Sequence, residues 1–372
     1  MKFEMLHYWP EVQRLQPAWQ ELLAVAATGS VHGSPEWVES WMTTLGRLDQ
    51  PRFVTAWENG QLVGLLPLVI ARSSWAELGG KRLQFVGGRR GDYHDVLVAA
   101  GREAEVVPRL VHEALTMIRQ TGLLVFHHLP EDSPSLPILR TMLAVDGLVC
   151  REVATTAPYL ILDRSLPSLA EQWRKSHRDD LRRQRRHLEK LGSLSFTIHQ
   201  KVKEILRQLP GFFDAHRRCY LGRGRKSLPG NDLRTQDFLQ TLVVALGCEN
   251  PVRRVHFATL DLDGKAIAYH LGFISGQVFL YYLPTYEPEL EQYSPGKVLL
   301  HHLIEHGFAH ESWQVFDFMR GAEPYKYRWT KTERTIYDLV ATPRFSTGAI
   351  RRWWLSVGKE RARRWLVRVR PS

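Results

Sequence analysis

The chain has 372 residues, 44% of them hydrophobic, which excludes a disordered protein and by length favours two domains of ordinary size. A formal charge of +11 implies attraction to something anionic, with nucleotide phosphates, RNA and an acidic membrane surface all candidates. Only Cys150, Cys219 and Cys248 are present, which supports neither a disulfide framework nor a zinc site, and neither the N-terminus nor the run Leu62 to Ala71 resembles a signal peptide or a membrane span, so a cytoplasmic protein is expected.

In chain order, residues 1–50 suggest two short helices, one around Trp19, Leu22, Leu23 and Val25, the next around Trp37, Val38, Trp41 and Leu45, with Ser34-Pro35-Glu36 as a start signal. Arg52 to Ile70 reads as a hairpin about Asn59-Gly60. An extended piece at Leu83 to Val86 leads to a Gly- and Arg-rich loop, Gly87 to Gly91, and to Asp92-Tyr93-His94-Asp95. A helix from about Glu103 to Gln120 and a strand Leu123 to Leu129 follow. Trp173 to Gly192 predicts a helix packed along Trp173, Leu181, Leu188 and Leu191, with Arg182, Arg183, Arg185 and Arg186 on the outer face. Those arginines suit RNA, or a solvated face partnered by Asp179, Asp180 and Glu189. Ile205 to Leu221 is helical, Gly222 to Lys226 a basic loop, and Asp237 to Leu246 another helix.

The second half repeats the first: a hairpin about Asp263-Gly264, a strand at Val278 to Tyr282, a helix from Lys297 and a strand at Val315 to Met319. A duplicated fold is therefore expected. Between the last strand pair, Ser294-Pro295-Gly296 opens the helix, with Ser294 as N-cap and the end near Gly307 or His310. A helix N-terminus at a strand's carboxyl end attracts anions through free N–H groups and the helix dipole. The first half has only Gly101 at the matching place, which suits scaffold or acceptor-binding work.

The segments Trp173 to Gly192, LDLDGKAIAYHLGFISGQVFLYY, YSPGKVLLHHLIEHG and FDFMRGAEPYKYRW resemble, in that order and spacing, the GNAT acyltransferase superfamily. The likeness is to its CelD-like branch, linked with polysaccharide biosynthesis and related to FemAB-type aminoacyl transferases. The resemblance implies tandem GNAT-like α/β domains with mixed sheets, over 1–165 and 166–345, before a basic tail at 346–372. It also implies acyl-CoA, acetyl-CoA in kind, as cosubstrate. The usual loop of the form Gln/Arg-x-x-Gly-x-Gly/Ala here reads Tyr293-Ser294-Pro295-Gly296-Lys297-Val298, with only the first Gly kept. FemAB-type relatives use aminoacyl-tRNA, which is the alternative donor.

Tyr281, Tyr282, Tyr293, Ser294, Gly296, Lys297 and Val298 are the expected cofactor contacts, Lys297 adding a cation beside the exposed amides. Asp317, between Phe316 and Phe318, reads as a base or as a structural partner of Arg320 or Lys326. Tyr325 can protonate a departing thiolate and Glu323 can accept the acceptor's proton, with Lys326 beside them. His270 reads as a hydrogen-bonded core histidine or as a base facing the cleft. Asp92, Tyr93, His94 and Asp95 are candidate ligands of a small-molecule or saccharide acceptor, or turn residues. No Gly-x-Ser-x-Gly elbow, His-Glu-x-x-His helix or Walker loop is present, so no metal is expected. A non-catalytic GNAT fold binding an anionic partner is the non-enzyme alternative. The tail from Ala349 to Arg370, with Trp353, Trp354 and Trp365 among arginines, reads as a docked terminal helix or as an amphipathic helix on an anionic membrane surface.

Overall fold

A computed structural model describes residues 1–72, 80–144, 147–222, 224 and 227–344. Arg223, Arg225 and Lys226 of the basic loop, and the amphipathic tail, lie outside the described residues. In chain order the strands are β1 (Lys2–Leu6), β2 (Gln50–Glu58), β3 (Gln61–Arg72), β4 (Lys81–Phe85), β5 (Leu97–Val98), β6 (Leu124–Pro130), β7 (Leu148–Ile161), β8 (Leu194–His199), β9 (Arg253–Leu262), β10 (Lys265–Ser275), β11 (Val278–Tyr286), β12 (Val315–Asp317) and β13 (Glu333–Pro343). The helices are α1 (Trp9–Gln13), α2 (Gln16–Val25), α3 (Pro35–Thr43), α4 (Glu103–Thr116), α5 (Ile118–Thr121), α6 (Ser135–Leu143), α7 (Lys175–Glu189), α8 (Val202–Leu221), α9 (Leu228–Asn231), α10 (Leu233–Leu246) and α11 (Pro295–His310).

The chain forms two compact units. The first holds Met1–Met42, Gly46–Ala154 and the segment from Ile336, and the second holds Thr155–Thr335 with Thr43–Leu45. The sequence reading divides the chain at 165/166 and leaves residues up to 345 in the second domain. The structure instead passes from one unit to the other within β7 and returns within β13, because Ile336 to Ala341 pair antiparallel with β6.

In the first unit the strand order is β1-β2-β3-β4-β6-β13, antiparallel apart from the parallel β4/β6 pair. The β2/β3 turn is the expected Asn59-Gly60, both at positive φ, the geometry whose twist matches the flanking strands. Helix α4 buries Val106, Val107, Leu110 and Val111 against β2 and β3. Gly64 on β3 admits it: a Cβ there would lie 2.5 Å from Val106 Cγ1.

The second unit has the order β7-β12-β11-β10-β9-β8. Strands β8 to β11 are antiparallel, β11 and β12 are parallel through the crossover helix α11, as expected, and β12 is antiparallel to β7. Helix α11 buries Val298, Leu299, Leu300, Leu303 and Ile304, and α7 buries Leu181 and Leu188, in one core with Phe279, Phe316 and Phe318. Helix α8 packs Phe212 against Phe257 of β9 and Tyr269 of β10. Among the described residues no helix is long and apolar enough to cross a membrane.

Candidate active site

Strand β11 changes both of its partners at one place. On one side it pairs with β12 only through Val278, Phe279 and Leu280, opposite Val315, Phe316 and Asp317, and then runs on to Tyr286 beyond the end of β12. On the other side its register with β10 jumps from Phe273↔Leu280 to Leu271↔Leu283, so Tyr281 and Tyr282 together face Gly272. Such a bulge bends a strand and re-aims its groups. Gly272 makes it possible, since a Cβ would stand 2.3 Å from His270 Cε1 and 2.5 Å from the Leu280 carbonyl oxygen. The result is a gap beside Tyr281 and Tyr282 whose β12-facing backbone groups have no strand partner among the described pairings.

His270 lies against this bulge, fully enclosed and stacked on Tyr281 with ring centroids 4.4 Å apart. Neither ring nitrogen makes a hydrogen bond among the described residues, so the expected hydrogen-bonded core histidine is corrected to an apolar-packed one. Burial, with His256 adding, pushes its pKa well below the usual value, which keeps it neutral. The Tyr281 phenol is held well above its ordinary pKa, by burial first and then by Tyr325.

The turn into α11 differs from the sequence reading in its free groups. Ser294 stands at the N-cap, but in the left-handed region with φ 51°, and its side chain makes no capping bond. Its carbonyl accepts from the Lys297 and Val298 amides at 3.0 and 3.2 Å. Pro295 has no N–H, so among the described residues Gly296 supplies the first-turn amide without a backbone partner. Val298 turns into the core, and Tyr293, half-buried, meets His187 edge-on. A Cβ on Gly296 would lie 3.1 Å from the Tyr286 ring, so this glycine also serves packing. The Lys297 ammonium is ion-paired with Asp180 of α7. The preceding 3-10 turn, Pro288–Tyr293, is acidic: Glu287 and Glu289 both bind Arg218, and Glu291 accepts from the Tyr286 hydroxyl at 2.7 Å.

Downstream of β12 the polar cluster is largely structural. Asp317 is completely buried; its Oδ1 accepts from the Met319 amide at 2.6 Å and its Oδ2 faces Arg334 at 3.4 Å. Arg334, from beyond the loop, is thus one basic partner, and the Lys326 ammonium is directed to other groups. Lys326, also buried, donates to the carbonyls of Met319, Arg320 and Gly321 at 3.0, 2.9 and 3.1 Å and pairs with Glu323 at 2.8 Å. It ties off the loop, with Met319 and Gly321 at positive φ, rather than facing a substrate. Tyr325 is 40% exposed, and the protein packed round it, then Glu323 and Tyr220, raise its pKa, so the phenol keeps its proton.

The large cleft of the second unit, about 1130 Å³, lies elsewhere along this loop: Trp173, Arg174, His177, Asp180 and Arg183 line it on the α7 side, and Tyr327 to Thr332 opposite. It adjoins the α11 turn through Asp180, the partner of Lys297, but takes in none of Asp317, Glu323, Tyr325 and Lys326. His177 was not singled out by sequence, because one histidine in a basic helix has no spacing signature. Its ring stands edge-on to Trp329 at 4.6 Å, and its Nε2 has no hydrogen-bond partner among the described residues. Burial first, then the Lys297 and Arg328 cations, push its pKa down to about 4 against the opposing Asp180, leaving a neutral, proton-accepting imidazole. Beside the cleft, Arg182, Arg183, Arg186 and His187 of α7 and Lys190 just after it, with Asp179, form a mainly basic notch of about 420 Å³. The expected solvated partners are present as Arg182–Asp179, Arg183–Asp180 and Arg185–Glu189, and Arg186 and Lys190 add their charge to the notch.

A divergent parallel strand pair, a bulge at the divergence and a crossover helix starting beside it thus come together in the second unit. Residues 175–327 match the acetyltransferase (GNAT) domain family. No curated protein matches the sequence. Among solved structures, the crystal structure of FemX aligns over 91% of this chain and 96% of its own at 10% identity, with TM-score 0.58. The C-terminal domain of a putative lysylphosphatidylglycerol synthetase from Agrobacterium fabrum aligns over 93% and 96% at 13% identity, TM-score 0.56. A tandem GNAT protein from the clavulanic acid biosynthesis pathway aligns over 91% and 98% at 14% identity, TM-score 0.52. The fold is therefore the expected mixed α/β, GNAT-like one, tandem GNAT architecture included among its likenesses.

The four acceptor candidates of the first unit are brought together with groups the sequence reading did not join to them. His94 is buried, stacked on Phe85, with Nε2 at 3.0 Å from the Gly88 carbonyl. Asp92 Oδ1 lies 3.2 Å from His128 Nδ1. Tyr93, at φ 57°, gives its carbonyl to Ser30. Asp95 accepts from the Val96 amide at 2.8 Å; burial raises its pKa to about 6 against bonds from Ser133, Ser135 and Thr28, which marks it as a clamp inside the unit.

Proposed function

We propose that the chain transfers an acyl group from a phosphate-bearing activated donor, acyl-CoA in the first place and acetyl-CoA as its simplest form, to an amine or hydroxyl acceptor. The observation that carries this reading is the gap at Tyr281 and Tyr282, where β11 loses β12 and bulges from β10. A thioester carbonyl lying there can accept from β11 amides, which stabilise the oxyanion as charge develops on it. The acceptor nitrogen or oxygen attacks the carbonyl carbon, the C–S bond breaks, and the thiolate takes a proton. Tyr325, held protonated beside Tyr281, is the donor of that proton. The acceptor's own proton passes to a base, for which neutral His177 in the cleft is better suited than Asp317, whose oxygens are engaged. A saccharide acceptor, as in the CelD-like branch, fits the open polar cleft.

A second reading has its own support. The Lys297 ammonium is engaged by Asp180, the turn before α11 carries Glu289 and Glu291 with Glu287 just ahead of it, and among the described first-turn amides only that of Gly296 lacks a backbone partner, which is poor provision for a CoA pyrophosphate. The basic notch on α7 suits a longer polyanion, and an aminoacyl-tRNA donor would place its phosphates there. Calorimetric titration of acetyl-CoA, beside filter binding of aminoacylated tRNA at several salt concentrations, separates the two. Saturable acetyl-CoA binding supports the first; tRNA binding that is salt-dependent and lost in Arg186→Gln, without acetyl-CoA binding, supports the second. Absence of both overturns acyl transfer.

A further inference from the structure

We propose that the first unit carries a mononuclear divalent transition-metal site, of the zinc class, formed by His127, His128 and Asp338. These residues stand 210 positions apart in sequence and meet at a bulge: the register jumps from Leu129↔Tyr337 to Phe126↔Leu339, so two residues of β6 oppose Asp338 of β13. Neighbouring side chains on a strand normally point to opposite faces. Here His128 takes φ 53°, a left-handed conformation rare for a residue with a side chain, and both imidazoles reach one carboxylate.

The distances fit coordination. His127 Nδ1 stands 3.5 Å from Oδ2 of Asp338 and His128 Nε2 stands 3.6 Å from Oδ1. One ligand atom from each of the three residues lies within 4.8 Å of the others, and all three residues are buried. Ligand atoms on a tetrahedral zinc at ~2.1 Å are about 3.4 Å apart. The separations are too long for good hydrogen bonds and close to those a shared cation would set.

The surroundings orient the ligands as a metal site requires. His128 Nδ1 lies 2.7 Å from the Gly91 carbonyl oxygen, which can only accept, so Nδ1 carries the proton and Nε2 turns its lone pair toward Asp338. His127 is 5% exposed, and neither of its ring nitrogens makes a hydrogen bond among the described residues. Asp338 also accepts from the His128 amide at 2.9 Å on Oδ1 and from Arg89 at 2.9 Å on Oδ2. A carboxylate has about four lone-pair sites, so each oxygen keeps one for a cation. Two imidazoles and one carboxylate suit zinc or cobalt and leave a coordination position open, as in catalytic rather than structural sites. Arg89 shares Oδ2, so its charge opposes the metal and tunes its affinity downward.

The test uses the full chain, stripped by chelator and dialysed, and titrated with cobalt(II) followed by visible absorption, then with zinc(II). One cobalt per chain with the intense absorption of a tetrahedral N/O site, displaced by one zinc, is expected. His127→Gln and Asp338→Asn should each weaken cobalt binding by about 100-fold or more, and Arg89→Gln should strengthen it. Circular dichroism checks folding, and His127→Gln, at the edge of the hydrogen-bond network, is the variant best placed to keep the fold. No stoichiometric cobalt or zinc binding by the folded chain, or unchanged binding by folded His127→Gln, overturns the site and leaves a histidine–carboxylate charge network in its place.

Discussion

The ammonium of Lys297, on the first turn of α11, is ion-paired with the carboxylate of Asp180 on α7, which itself lines the large cleft. A cation placed where the donor's phosphates are expected is thereby neutralised in the free protein. Asp180→Asn should release it, and acetyl-CoA affinity should rise, by about fivefold for each ~1 kcal/mol by which this largely buried pair holds the ammonium back. Isothermal titration reads this directly. Equal affinity in wild type and Asp180→Asn would show that Lys297 takes no part in holding the donor. Gly296→Val is a poorer probe, since its side chain meets the Tyr286 ring as well as any ligand.

Asp317 is expected to act on stability. It is buried, with Arg334 at 3.4 Å and the Met319 amide at 2.6 Å, and Asn would remove the negative charge that faces the guanidinium. Breaking one side of a buried pair costs about 3–5 kcal/mol. Urea denaturation of Asp317→Asn should show a loss of this order, with turnover per folded molecule retained. Unchanged stability with lost turnover would restore Asp317 as a chemical group.

The sequence was most legible where apolar periodicity and turn chemistry agree. Asn59-Gly60 and Asp263-Gly264 announced both hairpins, and Pro295 with the run from Val298 to Phe308 announced α11, which ends at His310, the later of the two expected ends. Strands β1, β7, β8 and β13 went unread. In β7 most positions are partly or fully exposed, which blurs its pattern, whereas β8 does alternate Leu194, Phe196 and Ile198 with Ser195, Thr197 and His199 but is only six residues long. The missing β13 explains the misplaced domain boundary, because its partner β6 lies two hundred residues earlier in the first unit. Side-chain partners were least legible. Local sequence suggested Arg320 or Lys326 for Asp317; backbone carbonyls claimed Lys326, and the chain beyond the loop brought Arg334, which no local pattern announces.

Gly272→Ala tests the bulge. Its Cβ would collide with the Leu280 carbonyl at 2.5 Å and with His270 Cε1 at 2.3 Å, so β11 must shift where Tyr281 and Tyr282 face the gap. A fall in kcat/KM of about 100-fold or more is expected, in line with loss of oxyanion stabilisation, together with some loss of stability. Full activity in a folded Gly272→Ala protein would argue against β11 amides as the oxyanion donors.

Acid should destabilise the second unit. His256 and His270 are enclosed and neutral: burial carries His256 down to about 3, with Glu311 opposing and His306 and Arg254 adding, and His270 lies well below its usual value. An unfolded chain takes up these protons near about pH 6.5, whereas the folded one does not. Unfolded molecules therefore bind more protons below that pH, and stability falls as pH is lowered from about 6.5 toward 3, by up to about 1.4 kcal/mol per pH unit for each histidine. Urea midpoints at pH 7.5 and 5.5 should differ accordingly, and His256→Phe should flatten the difference. Equal midpoints would mean that these histidines gain protons in the folded state.

Hydrogen exchange at the backbone amides of β11 tests the donor site most directly. With saturating acetyl-CoA, or with aminoacylated tRNA if that is the donor, the amides from Tyr281 to Thr285 that face away from β10 should become protected, because the donor's carbonyl and its extension replace the pairing that β12 does not supply. Protection should also reach Gly296. Saturable donor binding with no change in exchange between Tyr281 and Thr285 would contradict the placement of the acyl group in this gap.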